Sequence, residues 1–183
     1  QHLIAVILSA QTTDKQVNKA TKRLFEKFKK PEDYAKLTPE ELQEYIKGVG
    51  LYRNKSKYII KTSQMLIEEY NGEVPKKRKE LMKLSGVGRK TANVVISSAF
   101  DVDAIAVDTH VFRVSNRIGL ANSDKVRAVE EDLMKVIPQN LWSAAHHWLI
   151  FHGRSICKAR RPDCINCPIK SCCNYYQNEL SNS

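Results

Sequence analysis

Two groups of residues in this chain have the types and spacing to do chemistry. All five cysteines fall between residues 157 and 173, and Cys157, Cys164, Cys167 and Cys173 make the spacing C-x6-C-x2-C-x5-C. Four thiolates held this closely suit either tetrahedral zinc or a [4Fe–4S] cluster. Structural zinc sites mostly use two close cysteine pairs, and only Cys164 and Cys167 form one here. The spacing therefore favours iron–sulfur, although chemistry alone leaves zinc open. Cys172, adjacent to Cys173, is the spare thiol that can replace it. The second group is "LSGVGRKTANVV", residues 84–95, where Gly86 and Gly88 precede Arg89, Lys90 and an apolar run.

Glycine is otherwise scarce. Four of the chain's seven glycines lie in two copies of one tripeptide, Gly48-Val49-Gly50 and Gly86-Val87-Gly88. A Gly-x-Gly turn ahead of a helix exposes backbone N–H groups, and the helix start adds a partial positive charge; together these suit a phosphate oxygen. The turn is too short for a Walker loop, and no strand precedes it as a dinucleotide fold requires. A helix–hairpin–helix holding one nucleic-acid phosphate fits better, positioning a duplex without reading its sequence. Taken alone, the tripeptide fits equally a tight turn whose glycines matter only sterically; the basic charge and Arg89-Lys90 tilt the reading towards phosphate.

Lys90 stands two residues into the expected helix, where the macrodipole disfavours a cation. It would be tolerated in contact with an anion, or as a neutral amine favoured by desolvation, Arg89 and the helix end, and a neutral amine is a nucleophile. Eighteen residues on, "VDTHVFRVSNR" places Asp108 after an apolar run and before another helix. Asp108 reads either as an N-cap or as a carboxylate facing Lys90 across a cleft, for proton transfer or cation stabilisation. Between the first two cysteines, Lys158, Arg160 and Arg161 follow Arg154, so a metal-pinned loop would present three or four cations to a phosphate backbone, or simply to solvent.

These residues must be held by helices. Lysine and arginine number 30 against 20 acidic residues, a formal charge of +10 that argues for a polyanionic partner. Apolar positions recur at helical spacing in residues 13–28, at Val17, Ala20, Leu24 and Phe28, with Thr13 or Asp14 as N-cap. In 37–48, Thr38, Pro39 and Glu41 make a capping box, and Gly48 can end the helix. In 52–72, Ile59, Ile60, Ser63, Leu66 and Ile67 face inward and Asn71-Gly72 close. Further helices are expected at 76–84, 88–100, 110–118, 124–136 and 140–152, with 104–107 an extended linker. No strand–helix alternation is present, so the class is all-α, and the cysteine segment from about Arg154 reads as a separate appendage. The longest apolar run falls far short of the roughly 18–20 residues of a membrane span, and no secretory leader is visible. Clustered cysteines at the end of an otherwise cysteine-free chain indicate a reducing, intracellular setting.

The motifs "LSGVGRKTANVV", "VDTHVFRVSNR" and C-x6-C-x2-C-x5-C, with "LIAVILSAQTTDKQVNKAT", "GLYRNKSKYII", "NGEVP" and "HHWLIFHGR", resemble the endonuclease III family in order and approximate separation across essentially the whole chain. The resemblance implies two helical lobes: a six-helix bundle in 1–102 carrying the hairpin at about 76–100, and a smaller lobe in 103–183 ending in a [4Fe–4S] loop at 157–173. It implies a further N-terminal helix before Gln1, and Ser85 stands where the family commonly has proline. The implied activity is base excision repair: a DNA glycosylase and abasic-site lyase removing oxidised pyrimidines from duplex DNA. Lys90 matches the family nucleophile, and Asp108 the carboxylate assisting it. Gly86, Val87, Gly88 and Arg89 match the DNA-binding hairpin, Gln11 and Leu51 the residues that fill or wedge the opened duplex, and His110, Arg160 and Arg161 are further expected DNA contacts. A leucine on an exposed turn makes sense as an apolar wedge. The implied partner is double-stranded DNA with damaged pyrimidines or abasic sites, met by a monomer in the bacterial cytoplasm at the nucleoid. The alternatives are a monofunctional mismatch glycosylase of the same superfamily, which typically lacks a lysine at the position of Lys90, and a non-catalytic duplex-binding module; an electron-transfer protein would leave Lys90 and Asp108 unexplained.

Overall fold

The computed structural model describes residues 1–180, and every regular element among them is helical. The chain divides into two compact units, Gln1–Phe100 and the remainder from Asp101. No helix among the described residues is long and apolar enough to cross a membrane.

The first unit contains seven helical segments: α1 (His2–Ser9), α2 (Asp14–Lys27), α3 (Pro31–Ala35), α4 (Pro39–Ile46), α5 (Tyr52–Tyr70), α6 (Arg78–Leu81) and α7 (Arg89–Phe100). Their starts follow ordinary capping chemistry. The Thr13 side chain accepts from the Gln16 N–H, and Thr38 and Glu41 close a reciprocal capping box with Pro39 in the first turn. The α5 helix ends at Asn71, which adopts a left-handed conformation at φ 53°, and Gly72 follows at +77°. Leu24, Leu42, Ile46, Ile59 and Leu81 are fully enclosed in the core.

The α5 helix is the longest and buries a mixed face: Lys55, Ser56, Ile59, Ile60, Thr62, Ser63 and Leu66. Ile67, expected to face inward, is only half-buried, while Thr62 and Lys55 take buried places. Each buried polar group here has a partner. Ser63 Oγ donates to Ile59 O at 2.8 Å, and Thr62 Oγ1 to Ser85 O at 2.7 Å. Gly48 directly follows the Lys47 C-cap of α4, as expected, but without the positive φ of a left-handed glycine stop.

The second unit holds α8 (Thr109–Ile118), α9 (Val126–Val136) and α10 (Trp142–Ser155). Ile105, Val107, Val111, Val114, Leu133 and Leu149 form its core, joined by Cys157. Residues 104–107 take no regular structure and are buried, in keeping with the linker reading. The α8 helix ends on Gly119 at φ +94°, whose N–H donates to Ser115 O.

The capping box generates a stability test. Thr38→Ala removes the acceptor for the Glu41 N–H and is expected to cost about 1 kcal/mol, read as a fall of about 2–4 °C in Tm.

Candidate functional site

The hairpin is built by α5, α6 and α7. Between α6 and α7 the chain turns at Gly86, where φ is +73° and an added Cβ would lie 2.8 Å from Cβ and Cγ of Tyr58 on α5. Here glycine is required twice over, by backbone and by space. The second glycine differs: Gly88 has ordinary φ and nothing within 4 Å of its missing Cβ. Its openness leaves the turn's outer surface clear for an approaching group.

The amides of Gly86, Gly88 and Lys90 have no acceptor among the described residues, whereas the Val87 N–H donates to Leu84 O at 3.1 Å. Val87 was expected among the DNA contacts; instead its side chain is 5% exposed and belongs to the core, and its amide is engaged in the turn. Lys90 is solvent-exposed as the second residue of α7. Arg89 beside it is half-buried.

A second pair of loops in the first unit carries Gln11 and Leu51. Both are exposed, Leu51 at 56%, and both adopt left-handed backbone, at φ 52° and 57°. That conformation is uncommon outside glycine. The first Gly-Val-Gly copy thus differs from the second: the left-handed residue is the leucine after it, and Gly50 is needed because a Cβ there would lie 2.5 Å from Gln11 O.

In the second unit Asp108 is the N-cap of α8. Its Oδ1 accepts from the His110 and Val111 amides, both at 2.8 Å, while Oδ2 has no hydrogen-bond partner among the described residues. The N-cap reading and the chemical reading are therefore compatible: one oxygen fixes the helix start and the other remains open. His110, half-buried, keeps Nδ1 at 3.2 Å from Arg113 Nη2. Arg160 and Arg161 are exposed with Lys158 in the loop after Cys157, and Arg161 is left-handed at φ 52°.

Cys157, Cys164, Cys167 and Cys173 line one cavity together with Arg117, and none of the five cysteines is in a disulfide. Burial pushes the Cys164 thiol up, and the Cys157, Cys173 and Cys167 thiols add to that. Cys172 is exposed and lies outside this set. Among the described residues no three His, Cys, Asp or Glu side chains are grouped closely enough to hold a metal ion.

Three residues that support these elements carried little sequence signal. Arg113 donates to Gly153 O at 3.0 Å and to Cys157 O at 3.0 Å, and Arg117 to Lys158 O at 2.8 Å and Ala159 O at 3.2 Å. Together they tie α8 to the cysteine loop. Lys55 lies on the buried face of α5, one helical step before Ile59, and a lysine in the apolar register was the signal that could have exposed it.

The two hairpin glycines make contrasting predictions. Gly86→Ala forces a left-handed alanine against Tyr58 and is expected to cost about 2 kcal/mol or more, whereas Gly88→Ala stays within about 1 kcal/mol. Thermal melts of both variants check the difference.

Residues 4–139 match the family described as HhH-GPD superfamily base excision DNA repair protein. Endonuclease III of Bacillus subtilis is 59% identical over 93% of this chain and 78% of its own, and that of Escherichia coli K12 is 51% identical over 94% and 82%. Among solved structures, a trapped endonuclease III–DNA covalent intermediate superposes with a TM-score of 0.92 at 58% identity, covering 96% of this chain and 83% of that one. A thermostable thymine-DNA glycosylase superposes at 0.86 with 30% identity, again over 96% and 83%. Set beside the hairpin, the exposed lysine and the cysteine cavity, these likenesses show that the chain belongs to the endonuclease III family within the HhH-GPD superfamily of base excision DNA repair proteins.

Proposed function

We propose that this chain is a bifunctional DNA glycosylase and abasic-site lyase acting on oxidised pyrimidines in duplex DNA, with Lys90 as nucleophile. The observation that carries this reading is the exposed Lys90 amine directly beyond the open amides of Gly86 and Gly88, in a chain of the endonuclease III family. The two amides and the start of α7 bind a backbone phosphate. That contact sets the duplex in register so that an extruded nucleotide presents its sugar to Lys90.

Lys90 Nζ, once deprotonated, attacks C1′ of the deoxyribose. The C1′–N bond breaks and the base leaves with its electron pair. The amine loses a proton as the sugar ring opens, giving a Schiff base between Nζ and C1′. Removal of a C2′ proton then expels the 3′ phosphate and nicks the strand. Asp108, with Oδ2 open, is the carboxylate that offsets positive charge on the sugar and accepts a proton. Gln11 and Leu51 fill the space left by the extruded nucleotide. His110, Arg160 and Arg161 belong to the DNA-contacting set; of these, the exposed arginines have the freedom to meet phosphates.

Cys157, Cys164, Cys167 and Cys173 would hold a [4Fe–4S] cluster, which when bound supplies a covalent clip on the loop that presents Lys158, Arg160 and Arg161. The bacterial relatives and the reduced cysteines accord with a cytoplasmic repair enzyme acting on the chromosome.

Lys90→Ala is expected to lose strand nicking at abasic sites by on the order of 10³-fold or more while retaining duplex binding. Asp108→Asn preserves the α8 cap, because asparagine caps as well as aspartate, so its Tm is expected to stay level while turnover falls about 10²–10⁴-fold. Unimpaired nicking by Lys90→Ala, or unimpaired turnover by Asp108→Asn, would contradict the respective assignment.

A further inference from the structure

We infer that Lys55 is a positioning residue that locks the loops of Gln11 and Leu51 into a single two-pronged element. The inference rests on the proposed function, in which those two side chains enter the opened duplex.

Lys55 is 3% exposed, and its ammonium has three donors. All three find acceptors within residues 8–12: Leu8 O at 2.8 Å, Ala10 O, and Thr12 Oγ1 at 3.0 Å. Leu8 belongs to the last turn of α1, where carbonyls lack helical partners and the dipole favours a cation, so Lys55 caps α1 from the side. Lys55 stands in the first turn of α5, and its own amide donates to Leu51 O at 3.0 Å. The same residue thus binds the backbone beneath Gln11 with its side chain and the backbone of Leu51 with its main chain.

A second link runs beside the first. Thr12 Oγ1, which receives Lys55 Nζ, also accepts from the Gly50 N–H at 3.1 Å. Gly50 in turn packs against Gln11 O, where no side chain fits. Two left-handed, exposed residues on separate loops are therefore joined through one ammonium, one hydroxyl and one backbone contact. Left-handed backbone at a non-glycine residue persists only where its surroundings over-determine it, and these three contacts are the over-determination.

Packing alone does not account for a charge here. A buried ammonium carries a desolvation penalty that an isosteric methionine avoids, and burial already pulls the Lys55 pKa down to about 8. What the ammonium provides, and methionine cannot, is three directional bonds that fix one loop against the other. The arrangement positions the two prongs before DNA arrives, so that their ordering is not deferred to the moment of binding.

The test is a mutant cycle on excision from a duplex carrying one thymine glycol. Lys55→Met, folded by circular dichroism, is expected to lose about 10–100-fold in kcat/KM. In a Gln11→Ala/Leu51→Ala background the same substitution is expected to cost less than about 2-fold further, because a residue that acts through the prongs has nothing left to position. An equal loss in both backgrounds, or no loss in either, overturns the inference. Should Lys55→Met fail to fold, Thr12→Val, which removes the shared hydroxyl without touching the charge, is judged by the same criteria. A wild-type chain that neither excises nor nicks overturns the enzymatic reading itself, and this inference with it.

Discussion

The first unit depends on the polar side of a single helix. On α5, Lys55, Tyr58 and Thr62 stand three and four residues apart, so they share a face. Lys55 holds the end of α1 and the Gln11 turn; the Tyr58 ring lies under Gly86; the Thr62 hydroxyl donates to Ser85 O. Buried polar groups must find partners, and here the partners are the backbones of the loops around residues 8–12 and Ser85. Satisfying α5 therefore fixes the Gln11 and Leu51 loops and the Gly86–Gly88 turn relative to one another. A core of aliphatic side chains would bury comparable area but would not set loop register.

The second unit uses α8 in a comparable way, through charge. Its N-terminus is held by Asp108 Oδ1, and from its outer side Arg113 and Arg117 reach the carbonyls of Gly153, Cys157, Lys158 and Ala159. The cysteine loop has few regular hydrogen bonds of its own, so these guanidinium donors satisfy carbonyls that secondary structure leaves open. Arg117 also stacks on the Tyr175 ring at 4.8 Å and approaches Cys157 Sγ at 3.5 Å, placing a cation beside the four thiols. The loop's other cations, Lys158, Arg160 and Arg161, stay exposed.

Much of this was legible in the sequence because local chemistry decides it. The Thr38–Glu41 box, the Thr13 cap and the Asn71-Gly72 stop lie where the pattern puts them. The α1 helix was not legible as a helix: "HLIAVILS" is apolar on nearly every side, so it has no polar face to give a period. The five-residue α3 is too short to show one. The two Gly-Val-Gly copies read alike but differ in space. Gly86 needs positive φ, Gly50 needs only the absence of a Cβ against Gln11 O, and Leu51 rather than a glycine takes the left-handed turn. The pairing of Lys55 with residues 8–12 is a contact across more than forty positions, and no local pattern announces it.

The central claim is that an exposed lysine beside an open pair of hairpin amides is the covalent catalyst. Borohydride trapping of the protein on a duplex bearing one thymine glycol, followed by peptide mapping of the adduct, tests it most directly. The account predicts a reduced protein–DNA adduct confined to the peptide that contains Lys90. An adduct mapping to another lysine, or release of the base with no adduct at all, would contradict it.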